Sequence, residues 1–149
     1  MKHPIPPVSP LNADIIPLRT DAAWRADSLT AGLGCIISRP VETLHFTEVV
    51  QQVHSALMGE ALAMRMAILK CNELGLQNIR CESDSKLLIN SINNGNSIPE
   101  LYGVVADILR ISANFVSIVF VWISRKKNMA ADLLAKQCLN VGVEHDAPL

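Results

Sequence analysis

The chain has 149 residues, half of them hydrophobic, with a formal net charge of −1. That length supports one domain with a substantial core, and the composition excludes a disordered tail and a strongly basic nucleic-acid clamp. No apolar run reaches transmembrane length and the opening MKHPIPPVSP has no apolar signal region, so a soluble, intracellular, monomeric protein with no membrane partner is expected.

Residues 1–13, with four prolines in their first ten positions, read as an extended lead-in segment, followed by a domain over 14–142 and a tail over 143–149. The first strand is expected over Ile15–Trp24, with Ile16, Leu18, Ala22 and Trp24 on one face and Arg19 and Asp21 on the other. Pro17 suggests an edge strand or an irregular start. Ala31–Arg39 and Glu42–Val50 read as a second and third strand joined at Arg39-Pro40.

A long helix is predicted from about Ser55 to Leu74, because Leu57, Ala61, Met64, Ile68 and Cys71 form one apolar stripe and Gly75 supplies the stop. A fourth strand covers Asn78–Ser83, with a helix after Asp84 that ends near Asn94-Gly95. Pro99 opens a further helix through Asn114, Val116–Ile123 is an apolar fifth strand, and a last helix spans about Met129–Val141. Three strands in meander followed by alternating helices and strands predict an α/β fold, a mixed sheet with helices on its faces. The four cysteines lack metal-ligand spacing and read as reduced, apolar core residues.

Four acids stand where structure does not require them: Asp21, Glu60, Asp84 and Asp132. Each alone has an ordinary explanation. Asp21 reads as an edge-strand charge, Glu60 as a borderline helix position, Asp84 as a helix N-cap, and Asp132 as a first-turn acid that complements the helix dipole. Together they come from four different elements and can project from one end of the sheet. Clustered carboxylates repel unless a cation neutralises them, and hard oxygen donors suit Mg²⁺ or Mn²⁺. Two such ions can clamp the attacking and leaving oxygens of a phosphodiester.

The blocks TDAAW (Thr20–Trp24), AGLG (Ala31–Gly34), GEALAMRMAI (Gly59–Ile68), ESDSKLLINSI (Glu82–Ile92) and RKKNMAADLLAK (Arg125–Lys136), in this order, carry a resemblance. The chain resembles ribonuclease H-like domains, and among them the plant reverse-transcriptase-like ribonuclease H family of non-LTR retroelements, from about Asp14 to Val141. The resemblance implies a five-stranded mixed sheet in 3-2-1-4-5 order. It implies that Asp21, Glu60, Asp84 and Asp132 hold two divalent ions, Mg²⁺ or Mn²⁺, and that the chain cuts the RNA strand of RNA/DNA hybrids. Ser85 and Asn128 are then expected against the substrate, with Arg125 and Lys126 contacting its phosphates.

Two departures bear on activity. The loop WISRKKN (Trp122–Asn128) holds no histidine, where well-studied ribonucleases H carry a mobile one, and the segment Pro99–Asn114 holds only Arg110 as a cation. Weak, salt-sensitive hybrid binding is expected, because phosphate neutralisation dominates such affinity. The alternatives are a domesticated, non-catalytic module on the same fold that binds nucleic acid or protein, and a transposase or integrase relative.

Overall fold

A computed structural model describes residues 14–95 and 98–146. The expected lead-in segment, residues 1–13, lies outside the described residues, as do 147–149 of the expected tail. Five strands run in the order β1 (Ile16–Arg25), β2 (Thr30–Ser38), β3 (Thr43–Val50), β4 (Asn78–Ser83) and β5 (Ser117–Trp122). They form one mixed sheet ordered β3-β2-β1-β4-β5, as expected. The first three pair antiparallel, while β4 lies parallel to both β1 and β5.

Pro17 does not mark an edge, because β1 is the central strand. It stands at the second position of the strand, before the β2 ladder begins at Leu18 and opposite Arg80 of β4, so it falls at the irregular start that the sequence also allows.

Helix α1 (Ala56–Glu73) follows β3, and Ser55 caps it by accepting a hydrogen bond from the Met58 N–H at 3.0 Å. Its buried Ala61, Met64, Ile68 and Cys71 lie in one core with Leu18, Leu33 and Ile79 of the sheet. Gly75 ends the helix at φ +73°, where a side chain would be strained. Helix α2 (Lys86–Asn93) follows β4, and α3 (Tyr102–Ser112) is entered through a short 3-10 turn at Pro99–Leu101. An ion pair between Arg65 and Asp107 at 2.9 Å ties α3 to α1. Among the described residues, no helix is long and apolar enough to cross a membrane.

The last helix, α4 (Met129–Asp146), continues past the predicted end at Val141 and is preceded by a 3-10 turn over Arg125–Asn128. It covers β1 and β2 on the sheet face away from α1, which requires glycine in AGLG. A Cβ at Gly32 would stand 2.5 Å from the Ala135 carbonyl oxygen, and one at Gly34 would stand 3.0 Å from the Ala135 nitrogen. The two glycines let a helix backbone approach a strand backbone, bringing Asp132 toward β1.

Gly32→Ala must therefore displace α4 rather than a flexible side chain. We expect it to lower unfolding free energy by about 1–3 kcal/mol in urea denaturation. An unchanged midpoint would show that α4 does not depend on this close approach.

Candidate active site

Beyond Arg19↔Glu82 the β1–β4 ladder ends, and the same register carried two residues further sets Asp21 beside Asp84. Asp21 lies in the second half of β1, Glu60 in the second turn of α1, and Asp84 on the bend between β4 and α2. One carboxylate oxygen from each lies within 4.8 Å of the others. Asp132, from the first turn of α4, lines the same cleft of about 390 Å³, together with Arg125.

Asp84 does not cap α2, contrary to the expectation for an acid at that joint. Ser85 does so, its hydroxyl accepting from the Leu88 N–H at 3.2 Å. The Asp84 carboxylate is thus spared for the cleft. Its backbone is held by the Trp122 indole, whose Nε1–H donates to the Asp84 carbonyl at 3.1 Å.

The electrostatics separate this group from the other acids. Glu82, two residues from Asp84 and almost fully buried, is neutralised by Arg19 at 2.9 Å and Arg80 at 3.0 Å. Asp107 pairs with Arg65 and Arg110, and Asp132 pairs with Lys136 at 2.9 Å. Among the described residues, no salt bridge neutralises Asp21, Glu60 or Asp84. Burial first, and then the Asp84 charge, push Asp21 up to about 8, against the hydrogen bond it accepts from the Ala22 N–H. Burial also raises Glu60, opposed by the Ser85 hydroxyl, with Asp84 raising it further and Arg125 lowering it.

The donor set fits a divalent cation. Its ligand atoms are all carboxylate oxygens, which favour hard ions such as Mg²⁺ or Mn²⁺ over zinc, and a cation would offset the burial and mutual repulsion that raise Asp21 and Glu60. Asp132 stands outside the tight group of three and already carries a cationic partner.

The residues expected at the substrate are placed differently from one another. Arg125 is exposed at the cleft, and Lys126 is exposed on the same turn without lining it. Ser85 serves as helix cap and Glu60 partner. Asn128, expected to touch substrate, is wholly buried and points inward. Lys136 is a cleft residue that the sequence reading passed over, although its i,i+4 spacing from Asp132 was a visible signal.

Residues 19–138 match the family model described as reverse transcriptase-like. A curated relative, EbsB of Enterococcus faecalis, named as a candidate hydrolase, is 28% identical over 125 residues, covering 80% of this chain and 90% of its own. Among solved structures, ribonuclease H1 of Halobacterium salinarum superposes with a TM-score of 0.78 at 18% identity, covering 85% of this chain and 98% of that one. The N-terminal RNase H domain of a Mycobacterium tuberculosis protein gives 0.78 at 18% identity, covering 89% and 98%. LC11-RNase H1, solved in complex with an RNA/DNA hybrid, gives 0.76 at 23% identity, covering 86% and 99%.

The raised Asp21 fixes the sign of a pH effect in metal-free protein. Folded Asp21 keeps its proton to about pH 8, whereas the unfolded chain releases it near the ordinary carboxylate value of 3.8. Between those values unfolding releases a proton, so stability falls as pH rises. Urea denaturation in EDTA should show lower stability at pH ~8 than at pH ~5, and Asp21→Asn should flatten that slope. A slope unaltered by the substitution would contradict the raised Asp21 value that burial and Asp84 impose.

Proposed function

The chain belongs to the reverse transcriptase-like family and carries a ribonuclease H-like domain, and on that premise we propose that it is a divalent-metal-dependent endonuclease. It hydrolyses the RNA strand of RNA/DNA hybrids and leaves 5′-phosphate and 3′-hydroxyl ends. The observation that carries this reading is the convergence of Asp21, Glu60 and Asp84 within 4.8 Å, with none of the three in a salt bridge among the described residues. Descent from a plant non-LTR retroelement and action as a monomer within the cell belong to the same reading.

Asp21, Glu60 and Asp84, with Asp132 at the cleft wall, would hold two ions, Mg²⁺ or Mn²⁺. Ions held there would supply activation of the attacking water and stabilisation of charge at the leaving 3′-oxygen. Asp21 must lose its proton to bind, so its raised value makes ion binding favour higher pH. Arg125 brings a permanent positive charge to the cleft and is suited to a phosphate oxygen of the substrate. Arginine does not exchange protons near neutral pH, so it orients the phosphate and does not replace a histidine as acid or base.

A second reading is favoured by one specific observation. The turn that follows β5 is short and anchored: Arg19 donates to the Lys127 carbonyl at 2.7 Å, and Asn128 is buried. In that reading the chain is a non-catalytic module that binds nucleic acid on the same cleft.

A labelled RNA/DNA hybrid distinguishes the two. The metal-dependent reading predicts RNA cleavage with Mg²⁺ or Mn²⁺, none with EDTA, and a loss on the order of 10²-fold or more in Asp84→Asn. Hybrid binding without cleavage under any metal condition would support the module instead. Arg125→Ala should raise KM about tenfold, as expected for loss of one charge-assisted contact. An unchanged KM would remove Arg125 from the substrate path.

A further inference from the structure

Asn128 has no exposed surface, yet its amide is not satisfied as a core amide should be. Its Nδ2 donates to the Thr20 carbonyl at 2.8 Å and to Asp84 Oδ2 at 3.3 Å, while its Oδ1 is buried without a hydrogen-bond partner. The orientation is fixed by chemistry, since a flipped amide would set its oxygen against the Thr20 carbonyl and the Asp84 carboxylate. A residue that only filled space here would be apolar, because the orphaned oxygen is destabilising. The two donor contacts are what asparagine supplies and leucine does not.

Those contacts fall where the sheet ceases to organise the site. The β1–β4 ladder ends at Arg19↔Glu82, just short of the residues that carry the carboxylates. Thr20 directly precedes Asp21, so one side chain joins the Asp21 segment to the Asp84 carboxylate. Trp122 holds the Asp84 backbone from another direction and leaves the carboxylate free to rotate.

We propose that Asn128 is a positioning residue that locks the Asp84 carboxylate relative to Asp21 and thereby sets the affinity of the carboxylate group for divalent cations. The proposal rests on the metal-dependent reading above. With Oδ2 engaged by the amide, the carboxylate plane is fixed before an ion arrives, so binding does not require a rotating side chain to be ordered. Partners of metal ligands commonly change metal affinity by about 10–100-fold when removed.

The test is a Mn²⁺ titration of the full chain without nucleic acid, following free Mn²⁺ by electron paramagnetic resonance. Wild type, Asp84→Asn, Asn128→Ala and Asn128→Leu are compared, with thermal melts to establish folding. Both Asn128 variants should melt cooperatively and bind Mn²⁺ roughly 10–100-fold more weakly than wild type, as for other ligand partners. Asn128→Leu, which removes the orphaned oxygen, serves as the variant most compatible with the buried site. Wild-type affinity in a folded Asn128 variant, with binding lost in Asp84→Asn, overturns the proposal and leaves the metal reading standing. Absence of Mn²⁺ binding in wild type overturns the metal reading and the proposal with it. If neither Asn128 variant folds, Asn128 is a determinant of the fold and the proposal is overturned.

Discussion

Three carboxylates gathered within 4.8 Å, none of them in a salt bridge among the described residues, form the constraint on which the rest of this structure turns. Burial first, and the neighbouring Asp84 charge second, disfavour the ionised form of Asp21, which holds its proton to about pH 8. The chain handles its other sheltered acids differently. Glu82 receives two arginines, and Asp107 receives two as well. The difference between compensated and uncompensated acids distinguishes a binding site from ordinary ion pairing more sharply than carboxylate proximity alone.

Much of the surrounding architecture serves to hold that arrangement. Asp21 lies in the central strand, supported by β2 through Gly34 opposite it. Gly32 and Gly34 allow α4 to press its backbone onto β2, which places Asp132 at the cleft. Ser85 takes the helix cap and leaves Asp84 available. The turn Arg125–Asn128 then presents Arg125 outward and Asn128 inward, so residues three apart on one turn serve the cleft surface and its foundation.

The fold was largely legible in the sequence because period-two and helical patterns are local. The Leu18, Leu33 and Ile79 positions and the α1 stripe all report burial through spacing alone. What was not legible depends on contacts between distant residues. Pro17 suggested an edge or an irregular start because proline is costly inside a sheet, and only the register shows that it lies in the central strand, one residue before the β2 ladder begins. Asp84 resembled a cap because Ser85, an equally good cap, follows it directly. Asn128 was expected against the substrate, and its burial was hidden because its partners, Thr20 and Asp84, are far away in sequence. The uncompensated state of Asp21, Glu60 and Asp84 was likewise invisible, since the arginines that serve Glu82 are assigned by strand pairing.

The central claim is that these carboxylates hold a divalent cation. Anomalous diffraction at the manganese absorption edge, from crystals grown with Mn²⁺, tests it most directly. The account predicts anomalous density between Asp21, Glu60 and Asp84, within bonding distance of their carboxylate oxygens. A well-ordered cleft with no such density, or manganese bound only elsewhere, would contradict it.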